Sequence, residues 1–417
     1  MSSAKEIWVY AHWEKFETPL LMGVLNVIPS RGKEVFSFEY SNEWLSNDAR
    51  YVIDPDMQLY AGRYFPRDDK PNFGVFLDSS PDRWGRVLMD RRESVLAKQQ
   101  DRKRSILLES DYLLGVYDGH RMGGLRFKLG EAGAFLNDDR NMAAPPWTSL
   151  RELEYASIKI EEDNTEDPDY LKWISLLIAP GSSLGGARPK ASVLDANSHL
   201  WIAKFPSIND IKNVGAWEMV ANILAKDAGL NTAEGDIRKF SNKYHTFLTK
   251  RFDRSDNGQR IHFASAMTML GHLDGASGDT GASYLELVEF LTRYGANVNA
   301  DLEELWRRIV FSICIKNTDD HLRNHGFLLT DKGWKLSPAY DINPNEYGAG
   351  LGLNISETDN SLDVDLALSV AEYFRVSKGR AKQILEMVKA STSRWLIVAK
   401  EIGIPKSEQD RMSQAFE

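Results

Sequence analysis

Between residues 5 and 40, short aromatic and aliphatic runs (7–13, 19–27 and 35–40) alternate with charged and turn-forming residues, a pattern that predicts small antiparallel strands. Residues 80–99 open with Ser80, Pro81 and Asp82 and then carry apolar positions at helical spacing. Ser and Asp suit a helix start and Pro is tolerated in the first turn, so a helix is expected there. Residues 136–168 are rich in Asn, Asp, Pro and Glu and read as a linker or a long surface excursion. A helix follows at 168–179, then a glycine-rich stretch at 180–192 and two strand-like runs at 191–195 and 199–205. A longer helix over 214–228 meets Gly229, a residue suited to a left-handed cap. Residues 244–254 read as a strand entering a charged turn. From 283 onward helical patterns dominate (283–295, 301–317, 377–403), interrupted by one hairpin at 325–338 that turns at Asp331, Lys332 and Gly333. No internal repeat is apparent. The order is a β-rich front, a mixed middle and a mostly helical back.

Length and composition narrow the class. A chain of 417 residues, at roughly 150 residues per domain, predicts two or three domains. The 42% hydrophobic and 27% charged content is that of a globular protein. The net charge of −9 disfavours binding nucleic acid unaided, because neutralised phosphate supplies most of that affinity; contact with DNA is expected only through a partner. Cys314 is the single cysteine, so no internal disulfide framework exists and a cytoplasmic location is expected. Residues 1–13 have no signal-peptide pattern, and no run reaches the ~20 apolar residues of a membrane helix.

The densest chemistry lies at 317–325, where Asp319 and Asp320, Asn317 and Asn324, and His321 and His325 crowd together just before an apolar strand. A helix ends beside them, so the group sits in a loop on a rigid support, where reactive side chains are usually presented. Asn324 follows Asp319 by five residues, the interval between the base and the metal-binding amide of a protein-kinase catalytic loop. Past the hairpin, Asp341 stands where kinases place a second metal-binding carboxylate. Two other readings stay open here. The aspartates and His321 can be turn and capping residues, or the imidazoles and carboxylates can hold a transition metal for hydrolysis. Hard oxygen donors separated by a hairpin suit Mg²⁺ better. Asp320 has no assigned ligand, so its replacement is expected to matter less than that of Asp319.

The glycine-rich stretch narrows the choice. Gly181 and Gly186 have GxxxxG spacing, but Ala187 and Arg188 follow where a Walker A loop needs Lys and Ser or Thr, so that loop is excluded. GxGxxG is absent as well. Ser182, Ser183, Gly185 and Gly186 still offer close backbone approach and N–H donors to a phosphate. Lys204 lies in the strand that follows and Glu218 early in the next helix; a strand lysine paired with a helix glutamate is how kinases position ATP phosphates. Taken singly, these residues are a flexible turn and two surface charges.

These blocks together resemble the HipA-type toxin kinases of bacterial type II toxin–antitoxin systems. The likeness rests on residues 182–191, 201–205, the helix of Glu218, 250–254, 317–327 and 336–344, with 73–86 and 117–127 similar to the family's N-terminal region. It covers most of the chain in family order. The resemblance implies an α+β, two-lobed, protein-kinase-like (HipA-like) fold: a β-rich N-terminal part with an appended small β subdomain (1–135), a part with the glycine-rich loop and hinge (136–254), and a mostly helical C-lobe with the catalytic loop (255–417). It implies a serine/threonine protein kinase that uses ATP and Mg²⁺. Asp319 would be the catalytic base, and Asn324 and Asp341 the Mg²⁺ ligands. Ser183, Gly185, Gly186, Ala187, Lys204, Glu218, His321 and Asn324 would serve the nucleotide, with Lys250, Arg251 and Phe252 as the hinge. Ser183 would be the autophosphorylated residue that silences the kinase. The implied partners are a helix-turn-helix, HipB-like antitoxin that carries the DNA contact, and a protein substrate of the aminoacyl-tRNA synthetase class. The reading from another class is a catalytically weak kinase fold kept as a co-repressor or scaffold. A small-molecule phosphotransferase would share the carboxylate chemistry but leave residues 182–190 unexplained. This chain departs from the family pattern at Ala264, Ser265 and Ala266, where Gln, Glu or Asp is common, and at Lys250, where an acidic residue can occur.

Overall fold

A computed structural model describes residues 4–163, 165, 167–177, 186–240 and 242–417. Ser183 and Gly185 therefore lie outside the described residues, as do Ser182 and most of the glycine-rich stretch. The chain divides into two compact units, Met1–Ile208 with Arg251–Ala264, and Asn209–Lys250 with Ser265–Glu417.

The first unit begins with strands β1 (Lys5–Ala11), β2 (Leu20–Ser30) and β3 (Lys33–Tyr40). Ile7, Val9 and Ala11 face inward by simple alternation along β1. The β2–β3 turn is the two residues Arg31 and Gly32, both at positive φ, a geometry whose twist matches the flanking strands. With β4 (Arg63–Tyr64) and β5 (Leu125–Leu129) they form an antiparallel sheet in the order β4-β3-β2-β1-β5. Helices α1 (Asn42–Leu45), α2 (Gly74–Asp78), α3 (Arg83–Gln99) and α4 (Glu109–Gly115) join these strands. Phe38, Phe73, Phe76 and Phe127 pack as a chain of tilted and edge-on rings in its core. Asp82 caps α3 by accepting the Gly85 N–H at 2.8 Å.

The stretch read as a linker instead carries a helix, α5 (Leu150–Glu161), and α6 (Tyr170–Leu177) is the helix expected at 168–179. Leu150, Leu153, Ala156 and Ile160 recur at helical spacing on the buried face of α5. Arg151 and Glu152 lie on the exposed face while Glu154 and Ser157 are themselves buried, and polar residues on both sides of the stripe hid the period. Strands β6 (Lys190–Leu194) and β7 (Leu200–Lys204) then pair antiparallel, with Lys190 opposite Lys204. The segment Arg251–Ala264 returns to this unit with a buried ionic knot. Asp253 accepts from Arg251 Nε (2.8 Å), Arg254 Nη1 (2.6 Å) and the Gly123 N–H (2.8 Å).

The second unit opens with α7 (Val214–Asp227), followed by Gly229 at φ +81° and the hairpin of β8 (Gly235–Arg238) and β9 (Thr246–Lys250). After the short strand β10 (Phe263–Ser265) come α8 (Ala266–Met269), α9 (Tyr284–Tyr294) and α10 (Val298–Cys314). The predicted hairpin is β11 (Gly326–Thr330) with β12 (Gly333–Leu336). Helices α11 (Val364–Ser369), α12 (Lys378–Thr392), α13 (Trp395–Ile402) and α14 (Lys406–Met412) complete it. Trp217, Tyr284, Trp306 and Trp334 are fully buried here, and Phe290 lies 4.3 Å from Phe327 between ring centroids. No described helix is long and apolar enough to cross a membrane.

Candidate active site

Helix α10 is fixed by a buried stripe of Leu302, Leu305, Trp306, Ile309, Val310 and Ile313. It ends in a tight reversal at Lys316, whose φ is +49°. The Asn317 N–H returns to the Ser312 carbonyl at 2.8 Å, and the next residues leave the helix as a loop that β11 receives. A helix end and a hairpin thus hold residues 317–325 from both sides.

Within that loop the two adjacent aspartates part company. Asp319 is exposed, whereas Asp320 is buried. Asp320 accepts the Tyr284 hydroxyl at 2.5 Å and lies 3.0 Å from His325 Nε2. Burial alone would raise the Asp320 pKa; the facing His325 and the Tyr284 hydrogen bond outweigh it and hold the carboxyl below its ordinary value. Asp320 is therefore an internal tie of the loop, a structural role that the sequence did not assign to it. His325 faces Asp320 through Nε2, and its Nδ1 is buried without a hydrogen-bond partner among the described residues. Among the described residues, no three His, Cys, Asp or Glu side chains gather as a metal-binding group.

Asp319 has the opposite electrostatics. Partial desolvation raises its pKa; His321 opposes this, and the carboxylates of Asp341 and Asp320 add to it. Asp319 and Asp341 are thus close enough to feel each other's charge. Asn324 is set by two bonds: its N–H donates to the His321 carbonyl (2.8 Å) and its Nδ2 to the Asp319 carbonyl (2.8 Å). The amide nitrogen is spent on the loop, leaving Oδ1 as the atom available to a cation.

Asp341 sits at φ +57°, a conformation unusual for a residue with a side chain. It is held by its neighbours: Asn343 Nδ2 donates to Asp341 Oδ1 (3.3 Å), and the Asn343 N–H donates to Asn317 Oδ1 (3.2 Å). The Tyr340 hydroxyl reaches the Arg323 carbonyl at 2.7 Å. Farther on, Asn345 Nδ2 donates to Thr318 Oγ1 at 2.7 Å, and a Cβ at Gly348 would lie 2.1 Å from Thr318 Cγ2, so only glycine allows this approach. The Asp341 segment and the Asp319 loop are laced together through Asn343 and Asn345. Neither asparagine was picked out in the sequence; their repeated spacing from Asp341, at two and four residues, was the available signal.

Glu218 is buried on α7 and lines a cleft with Asn222, Phe247, Thr249, Tyr340 and Asp341. The second unit thus brings together Asp319, His321, Asn324, Asp341 and Glu218. Buried polar atoms there, among them His321 Nδ1, Asn343 Oδ1 and Asn222 Oδ1, have no hydrogen-bond partner among the described residues. Unfilled polar atoms beside a pair of carboxylates fit a charged ligand with bound water. An amide oxygen and one carboxylate also fit Mg²⁺, which takes few protein ligands and completes its shell with phosphate and water.

The remaining expected residues belong to the first unit, apart from Lys250, which ends β9. Lys204 is buried in β7, and Gly186 and Ala187 are exposed. The Arg251 guanidinium is wholly engaged with Asp253 and the His120 carbonyl, so only its backbone could serve a ligand. Phe252 is half-buried against Phe263. At the departure from the family pattern, Ser265 caps α8 by accepting the Thr268 N–H at 3.1 Å, while Ala264 and Ala266 are buried.

Residues 182–395 match the family of HipA-like C-terminal domains. A Haemophilus influenzae protein with a provisional kinase name is 26% identical over 180 residues, covering 39% of this chain and 52% of that protein. The serine/threonine-protein kinase toxin HipA of Shewanella oneidensis is 26% identical over 263 residues, covering 56% of this chain and 59% of that one. The chain thus matches only about half the length of these curated relatives. Among solved structures, a chain of the Shewanella oneidensis HipA–HipB–operator DNA complex aligns over 99% of this chain and 95% of its own, with a TM-score of 0.65 and 18% identity. That likeness identifies an α+β, HipA-like kinase fold.

Proposed function

Because this chain belongs to the family of HipA-like C-terminal domains, we propose that it is an ATP- and Mg²⁺-dependent serine/threonine protein kinase and the toxin of a type II toxin–antitoxin module. The observation that carries this reading is the lacing of the Asp319–Asn324 loop to Asp341 in one compact unit, beside the Glu218 cleft. Asp319 reaches solvent, where a hydroxyl of another protein can approach. Its carboxylate accepts that hydroxyl's proton as the oxygen forms its bond to the γ-phosphorus and the bond to ADP breaks. Asn324 Oδ1 and Asp341 hold Mg²⁺, which when bound neutralises charge on the phosphates. His321, whose Nδ1 is buried without a hydrogen-bond partner among the described residues, serves the phosphates. Lys204, Gly186, Ala187 and the hinge backbone at Lys250, Arg251 and Phe252 serve the nucleotide, together with Ser183 and Gly185.

The substrate is proposed to be a translation protein of the aminoacyl-tRNA synthetase class. A HipB-like helix-turn-helix antitoxin is the proposed partner, and DNA is reached only through it. Ser183 is the proposed autophosphorylation site: a phosphate adds about −1.5 to −2 charges and repels bound ATP. A cytoplasmic location follows from these roles.

Calorimetry with a non-hydrolysable ATP analogue, with and without Mg²⁺, tests the reading. Binding that requires Mg²⁺, together with phosphoryl transfer that disappears in Asp319→Asn, is expected. A wild-type protein that binds no nucleotide overturns it.

A further inference from the structure

Helix α7 carries Glu218 into the cleft, and a carboxylate far along the chain is bonded to its first turn. Glu408, on α14, is buried. Its Oε2 accepts the backbone N–H of Asn213 at 2.9 Å and the indole Nε1–H of Trp217 at 3.4 Å. Asn213 is the N-cap of α7, and its Oδ1 accepts the Ala216 N–H (3.3 Å) and the His245 N–H (2.9 Å). One carboxylate thus grips the helix at its cap and again one turn later. Two attachment points about 6 Å apart along a helix fix both its slide along the axis and its rotation about it. A negative group at a helix N-terminus is also favoured by the helix dipole.

The same layer is packed against α7 by aromatic contacts. Trp217 lies 6.2 Å from Trp395 and 6.4 Å from Phe416, and those two rings stack at 4.8 Å. The layer also touches the start of the candidate catalytic loop, where Lys316 Nζ donates to the Gln414 carbonyl. Glu218 immediately follows Trp217, so any rotation of α7 that moves the indole moves the Glu218 carboxylate relative to Asp341 across the cleft.

We propose that Glu408 is a positioning residue of the nucleotide site, acting through α7 on Glu218. The proposal rests on the kinase reading above. Its test is the affinity for a non-hydrolysable ATP analogue with Mg²⁺ in wild type, Glu408→Ala, Glu218→Gln and the double variant. Glu408→Ala is expected to weaken binding about tenfold or more, since small displacements of positioning groups cost one to two powers of ten. In the Glu218→Gln background the same change is expected to weaken binding little further, because its route is already cut. Glu408→Gln retains an oxygen acceptor for both N–H groups and is expected to bind like wild type, which separates positioning from loss of fold. An unchanged affinity in Glu408→Ala, or an equal loss in both backgrounds, overturns the proposal while leaving the kinase reading intact. Absence of nucleotide binding by wild type overturns the kinase reading, and the proposal with it.

Discussion

Tyr284 donates its hydroxyl to Asp320 Oδ2 at 2.5 Å, and this bond holds one of two neighbouring aspartates inside the fold. Tyr284 begins α9 and is fully buried, so Asp320 is drawn inward and Asp319, one residue earlier, is left facing solvent.

Replacing the two aspartates should therefore fail in different ways. Asp319→Asn is expected to lower phosphoryl transfer by about 10²–10⁴-fold while melting like wild type. Asp320→Asn loses the charge facing His325 and is expected to cost about 1–3 kcal/mol of stability. Transfer assays and thermal melts on the two proteins read these out; a stable, fully active Asp320→Asn would refute the internal tie.

The depressed pKa of Asp320 predicts a pH signature. A carboxyl whose folded pKa lies below its unfolded one contributes fully above the unfolded pKa and loses that contribution as pH falls through the folded pKa. Urea unfolding followed against pH should show wild type more stable than Asp320→Asn near neutrality, with the two converging in acid. A gap that persists unchanged into acid would point to packing instead.

Gly348 should tolerate no side chain, because the added Cβ meets Thr318 beside Asp319. Gly348→Ala is expected to cost about 1–3 kcal/mol through overpacking and to depress phosphoryl transfer by displacing the loop. Turnover equal to wild type in steady-state assays would show that the loop accommodates it.

In the first unit, Asp253→Asn leaves Arg251 and Arg254 buried without their carboxylate. Breaking a buried ion pair on one side costs about 3–5 kcal/mol, a loss that denaturant titration resolves. Wild-type stability in this variant would mean that the backbone carbonyls around the guanidinium groups suffice.

Burial pushes the Cys314 thiol pKa up to about 11, so the thiolate fraction at neutral pH is very small. Iodoacetamide should label the folded protein far more slowly than the urea-unfolded one, as followed by intact mass. Comparable rates would place the thiol in contact with solvent.

Much of this molecule was legible along the chain because its information is local. The alternation in β1, the stripe of α10, the turn at Gly333 and the Asp319–Asn324 interval all involve residues within a few positions of each other. Backbone geometry converts such spacings directly into faces and loops. The recurrence of several such blocks in order carried the family resemblance. Local reading failed where polar residues outnumbered a buried stripe, as in α5 between Leu150 and Ile160. It singled out Asp319 by its interval to Asn324, but it could not show that Asp320 is buried against Tyr284 and His325, nor reveal Glu408 as the grip on α7. Those outcomes depend on partners 36 and 195 residues away. Burial and hydrogen bonding are sums over whatever the folded chain brings near, so the role of each carboxylate became definite only once the tertiary structure had chosen its neighbours.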